Sequence, residues 1–166
     1  MNISQIRVRR GEVGDGEVLH SLIDALADFE NLPRPNAAAR ERLMRDAFGD
    51  RPRIEVYLAE VNRKVVAYAI VFETYSSFLA LPNLYLEDIF VLVDYRRAGV
   101  GYHLFKHCAH EAYRRGCGRM EWMVLDWNQS AIDFYERLGA RRLKEWIPYR
   151  LTREEMKLVL EGNTSD

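Results

Sequence analysis

Cysteine is scarce in this chain: Cys108 and Cys117 are the only two among 166 residues. That is too few for a disulfide framework and suits a reducing compartment, so a cytoplasmic location is expected. Glycine (10) and proline (5) never gather into a linker, and the sequence shows no internal repeat or low-complexity tract. The longest apolar run, Val65 to Phe72, has eight residues. A bilayer span needs about 20, so no membrane partner is expected. Met1 to Arg10 lacks the apolar stretch of a secretory signal. No excess of either charge exists, since 24 basic and 25 acidic side chains give a net −1. Nothing global draws the chain to nucleic acid, and the Arg7-Arg9-Arg10 cluster is short and local. What remains is 48% hydrophobic and 30% charged residues, the balance of a globular protein, and 166 residues fit one domain.

The periodicity supplies the elements. Ile3 to Val8 alternates as a short strand that ends at Arg9-Arg10-Gly11. Asp15 is placed to cap a helix with Val18, Leu22, Ile23, Leu26 and Phe29 on its apolar face, stopped by Pro33 and Pro35. Asn36 reads as the next N-cap, Leu43, Met44, Ala47 and Phe48 as the buried stripe, and Gly49 as the stop. Ile54 to Val61 and Lys64 to Tyr75 are strands joined at Asn62-Arg63, and Leu84 to Val93 is a third strand. A helix from about Gly99 to Arg115, a strand from Arg119 to Leu125, a helix over Gln129 to Leu138 and a strand near Arg141 to Leu151 follow. Thr152 and Glu155 form a capping box for a last helix that ends at Gly162. The order predicts an α/β (α+β) fold with a mixed, mostly antiparallel sheet flanked by helices.

The strand-to-helix turn Asp94-Tyr95-Arg96-Arg97-Ala98-Gly99-Val100-Gly101 carries chemistry. Two glycines leave backbone N–H groups bare at a helix start, which suits an anion such as a pyrophosphate. The dinucleotide pattern fails because its third glycine would fall at Leu104, and no Gly-Lys-Ser/Thr is present for a nucleotide loop. Taken alone, the segment also fits a tight turn with a solvated arginine pair. Arg96, Gly99 and Gly101 form Arg-x-x-Gly-x-Gly, which resembles the acetyl-CoA signature of the GNAT N-acetyltransferase superfamily. Asn128 to Ala140 resembles its second signature, with Phe134-Tyr135 at its centre. Tyr85-Leu86-Glu87-Asp88-Ile89-Phe90-Val91, Ala27-Asp28-Phe29-Glu30 and Trp127-Asn128 are similar to the spermidine/spermine (diamine, thialysine) branch.

The resemblance implies a single GNAT domain over 1–166, acetyl-CoA as co-substrate, and a small amine acceptor attacking directly in a ternary complex. A homodimer is implied too. Glu87 takes the general base position and Tyr135 the general acid, a phenol suited to a thiolate leaving group. Consecutive strand residues face opposite ways, so Asp88 is expected behind the site or in a structural role. The backbone of Ile89, Phe90 and Val91 is expected to pair with the pantetheine arm, with an oxyanion donor near Phe90 where strands diverge. Arg96, Arg97, Ala98, Gly99, Val100, Gly101 and Tyr102 hold the pyrophosphate, while Asn128, Ala131 and Tyr135 complete the cofactor side. Phe29, Glu30, Glu87, Glu121 and Trp122 line the acceptor side. Ser76 and Phe78 stand where animal polyamine enzymes carry an acid and a tryptophan, and the segment between Thr74 and Leu84 reads as an uncharged loop walling the acceptor site. The acceptor is expected to be a diamine, a polyamine or a lysine-like amino acid, with a long polyamine disfavoured and another small amine left open. Two other readings stay open: a non-catalytic acyl-CoA sensor, and an acetyltransferase acting on a protein or peptide amine. His103, His107 and His110 share one helix face at zinc-compatible spacing but lie opposite the apolar stripe Leu104, Phe105, Cys108 and Ala112, so no metal is expected.

Overall fold

The computed structural model describes residues 5–162, which fall into two compact units, one ending at Met123 and the next starting at Val124. In the first unit five strands lie side by side in chain order: β1 (Ile6–Arg10), β2 (Glu55–Val61), β3 (Lys64–Ser76), β4 (Leu81–Val91) and β5 (Met120–Trp122). β1 to β4 pair antiparallel, whereas β4 and β5 are parallel. A parallel pair needs a crossover, and α3 (Val100–Arg114) supplies it. α1 (Gly16–Glu30) and α2 (Ala37–Phe48) fill the long connection from β1 to β2. One core packs α3 through Val100, Leu104, Cys108 and Ala112 on Ala67, Ala69, Val71, Leu84 and Leu86. The other packs Leu19, Leu22 and Ala47 on Leu58, Tyr68, Ile70 and Phe90. The second unit holds α4 (Gln129–Arg137) and α5 (Arg153–Leu160).

The mixed, mostly antiparallel sheet is the one expected. Asn36 caps α2 by accepting from the Ala39 N–H at 2.9 Å, and Thr152 with Glu155 forms the capping box of α5. Asn62 and Arg63 both adopt positive φ (50° and 67°), the twist of a two-residue hairpin turn between Val61 and Lys64.

Several boundaries differ, each for a reason beyond the local pattern. Arg9 and Arg10 continue β1, opposite Leu58 and Tyr57, because β2 offers them ladder partners; Ile3 lies outside the described residues. Asp15 precedes α1 without capping it, since its carboxylate accepts from Arg9 and from the Glu12 N–H. α1 ends before either proline, at Asn31 in the left-handed region, and so terminates on Glu30. The segment read as a loop from Thr74 to Leu84 is mostly ladder: Ser76 pairs with Leu81, leaving Ser77–Ala80 as the turn. Ser76 is buried and its hydroxyl accepts from the Leu79 N–H, while Phe78 is 98% exposed at the tip. β5 is only three residues long, because β4 keeps in register with it only from Leu84 to Leu86. Residues 141–151 form no strand: Pro148 lacks a donor, and the segment enters no ladder.

Candidate acetyl-transfer site

A bulge in β4 organises the site. Ile70 faces Asp88 across the β3–β4 ladder and Val71 faces Leu86, so Glu87 is the extra residue with no partner on β3. A bulge adds one residue, bends the strand and resets its alternation. Leu84 and Leu86 point to the α3 core before it, whereas Ile89 and Val91 do so after it. Asp88 and Phe90 are thereby turned to the α1 face, and Glu87 stands exposed between the two settings. The expectation that Glu87 and Asp88 separate onto opposite faces assumed unbroken alternation, which the bulge interrupts at Glu87; Asp88 does turn inward, toward Tyr68. The bulge also begins where the ladder to β5 ends, at Leu86 opposite Trp122. From Glu87 to Val91 the β5 side of β4 has no ladder partner among the described residues.

Acidic groups meet beside the bulge. Asp88 is half-buried and accepts from the Tyr68 hydroxyl at 3.2 Å. Burial pushes its carboxyl up to about 6; the Tyr68 contact lowers it, and the charges of Glu87 and Glu30 raise it further. Burial likewise raises the Glu30 carboxyl at the end of α1. Phe29, the residue before it, lies 6.4 Å from Phe90 between ring centroids. The Arg96 guanidinium sits over both rings, 4.6 Å from Phe29 and 5.4 Å from Phe90, and its Nε donates to the Val91 carbonyl. Phe29, Glu30, Glu87, Phe90 and Arg96, five residues singled out from sequence, thus share one end of the sheet.

The turn after β4 has the expected form. Arg97 (φ 60°) and Gly99 (φ 83°) are left-handed, and Gly99 precedes α3 with no side-chain cap. The first intrahelical bond runs from His103 N–H to the Gly99 carbonyl, so the N–H groups of Val100, Gly101 and Tyr102 start the helix without one. Those donors and the positive end of the helix dipole fit a phosphate.

Other expected positions separate. Glu121 shares its charge with Arg119 at 3.1 Å and meets Asn83 Nδ2 at 3.4 Å. Trp122 turns to the α3 face, edge-on to Phe105 at 5.2 Å, and belongs to the core there rather than to the face of Asp88. In the second unit Asn128 caps α4, its Oδ1 accepting from the Ala131 N–H at 3.2 Å, and Ile132 and Tyr135 are the buried residues of that helix. Burial pushes the Tyr135 phenol up to about 12, so it keeps its proton across the neutral range. His103 and His110 are exposed, but His107 leans on the Tyr57 ring at 4.7 Å, more enclosed than a solvated face implies. Among the described residues no group of three His, Cys, Asp or Glu side chains is placed to hold a metal. Nor is any helix of the described residues long and apolar enough to cross a membrane.

Tyr68 and Asn83 were not singled out from sequence. Tyr68 lies in the unbroken apolar run of β3, and only the Asp88 contact distinguishes it. Asn83 is 2% exposed and its Oδ1 has no hydrogen-bond partner among the described residues, a placement that depends on the register with Thr74.

Residues 19–140 match the Acetyltransferase (GNAT) family, a span that runs through both units. The chain belongs to the GNAT acetyltransferase family. It is 32% identical over 166 aligned positions to the thialysine N-epsilon-acetyltransferase of Mus musculus, covering 93% of this chain and 97% of that protein. It is also 32% identical to the L-ornithine N5-acetyltransferase NATA1 of Arabidopsis thaliana, covering 92% and 87% of the two chains. A solved integron cassette protein from V. cholerae shares the fold with a TM-score of 0.78 at 20% identity, over 94% of this chain and 98% of that one. This GNAT chain is therefore an acetyl-CoA-dependent N-acetyltransferase, built on the sheet and bulge described above.

Proposed function

We propose that this GNAT enzyme acetylates the primary amine of a small cationic acceptor, a diamine or a lysine-like amino acid. One observation carries the reading: the β4 bulge sets Glu87 and Asp88 side by side, with Glu30 close enough to raise the Asp88 carboxyl. An ammonium with a pKa near about 10.4 needs both attraction and a proton acceptor before it can attack. Glu87 takes that proton. The N–H groups that start α3 and the backbone of Ile89, Phe90 and Val91 hold acetyl-CoA, which supplies the activated acetyl group when bound. Tyr135 then delivers a proton to the departing sulfur. Arg96 steadies the Phe29 and Phe90 rings and the end of β4, a role added to the one its signature implies. Both units belong, in this reading, to one acetyltransferase domain over 1–166, a homodimer in the cytoplasm.

The short acceptor is favoured over a long polyamine because the polar groups singled out further along the sheet are already engaged. Glu121 pairs with Arg119, and Ser76 is committed to the hairpin turn. The relatives named for thialysine and ornithine point the same way. The test is thiol release from acetyl-CoA against putrescine, spermidine, lysine, ornithine, thialysine and a basic peptide. Turnover is expected with a short diamine or a basic amino acid. Preference for the peptide would move the acceptor to a protein amine, and donor binding without turnover on any amine would move the chain to a sensor.

The donor side has its own test. A methyl group at Gly101 would meet only Val91 Cγ2, at an ordinary 3.6 Å. Gly101→Ala is therefore expected to melt no lower than wild type, because alanine favours a helical position. Its KM for acetyl-CoA is expected to rise about tenfold, because the added methyl crowds a phosphate drawn up to the helix-start N–H groups and weakens it by roughly one charge-assisted contact. An unchanged KM would remove this glycine from the donor site.

A further inference from the structure

Tyr68 stands in the middle of β3 with no exposed surface, among Leu19, Leu22, Leu58, Ile70 and Phe90. A buried phenol needs a partner for its hydroxyl. Here the hydroxyl reaches across the β3–β4 pair to Asp88 Oδ2 at 3.2 Å. Three charged groups stand at this end of the sheet, and the first two bear on Asp88. Glu87 is its neighbour on β4, Glu30 approaches from α1, and Arg96 lies over Phe90 and Phe29 from the turn after β4. Two carboxylates thus press on Asp88 while one hydroxyl steadies it.

We infer that Tyr68 is a positioning residue for the acetylation: its hydroxyl fixes Asp88 beside the Glu87 bulge as the second proton-accepting carboxylate. The inference rests on the amine-acetylation reading above. The signatures that carry the family resemblance assign nothing to Tyr68. Burial, then the charges of Glu87 and Glu30, push the Asp88 carboxyl up to about 6, and the Tyr68 hydroxyl works against them. A carboxylate held near the working pH accepts a proton better than an ordinary one and still returns it to water. The ammonium of the acceptor loses one proton to the Glu87–Asp88 pair, its nitrogen keeps the electron pair, and the proton passes on to solvent.

The sign follows directly. Below its own pKa Asp88 is protonated and accepts nothing, so the rate falls as pH drops through about 6. Tyr68→Phe deletes one oxygen, and the carboxyl it leaves behind titrates higher. An O···O separation of 3.2 Å is longer than the usual hydroxyl range. The shift is therefore expected to be about one pH unit, the lower end for a bond to a charged group.

The experiment follows the Asp88 carboxyl by carbon-13 NMR, with its resonance assigned by its loss in Asp88→Asn, alongside the pH profile of kcat/KM. In Tyr68→Phe the carboxyl midpoint and the acid limb of the profile are expected to rise together by about one unit. In an Asp88→Asn background the same substitution is expected to leave the profile where Asp88→Asn alone puts it. An unmoved midpoint in folded Tyr68→Phe overturns the inference, and so does a moved midpoint with an unmoved acid limb. If the wild type acetylates no small amine, the reading above fails and the role in acetylation falls with it. The carboxyl titration then still decides whether Tyr68 holds Asp88.

Discussion

Glu87→Gln is expected to cut kcat at neutral pH by about 10²–10³-fold, the range of a lost general base. Glutamine keeps the size and the hydrogen bonds but takes no proton. The loss should be greatest where the acceptor is an ammonium and should shrink as pH approaches about 10, where free amine becomes abundant. Glu87 is exposed and has no partner on β3, so its replacement leaves the ladder and both cores intact. Stability is expected to stay within the scatter of surface substitutions, about 0.5 kcal/mol. The measurement is kcat against pH by thiol release. A Glu87→Gln enzyme that keeps the wild-type profile removes Glu87 as the base and leaves the role to Asp88.

The second large effect belongs to the other unit. Tyr135→Phe is expected to lower kcat about 10²-fold while KM for acetyl-CoA stays within about twofold, the pattern of a group needed in the transition state alone. Burial holds the phenol near 12, so the hydroxyl carries its proton at every pH at which the enzyme works. Phenylalanine keeps the ring and the packing of α4 beside Ile132, and only the donor is lost. A synthetic acetyl thioester with a more acidic thiol should recover much of the rate in the variant, because that thiolate leaves without help. Unchanged kcat with acetyl-CoA would rule Tyr135 out as the acid.

The parts of this site legible in the sequence are those whose geometry is local. Gly99 answers a left-handed position that a side chain resists, and Asn36 and Thr152 cap the helices that follow them. The amphipathic stripe of α3, Leu104 to Ala112, was legible because every member shares one helix. The bulge at Glu87 was not, since it exists only as a mismatch between two strands that are each regular alone. The same limit explains Thr74 to Leu84, which reads as loop until its two ends are paired with each other across the β3–β4 ladder, and Trp122, whose face depends on where β5 joins. Residues 141–151 carry a strand pattern, but a pattern without a neighbour to pair with makes no strand. Tyr68 was hidden by its surroundings: an aromatic in an apolar run is read as filler until its hydroxyl is seen to end on Asp88.

The extra residue in β4 also acts as a phase marker along the chain. Were Glu87 to take an ordinary place in the ladder instead of bulging out, alternation would run on unbroken and exchange the faces of everything downstream as far as Val91. Ile89 would then turn toward α1 and Phe90 toward α3, parting Phe90 from Phe29 and Arg96. The Glu87–Asp88 pair is thus located by strand arithmetic, not by the shape of any loop. Sequence drift in the Ser77–Ala80 turn can therefore proceed without displacing Glu87 or Asp88, whose places depend on the β3–β4 register alone.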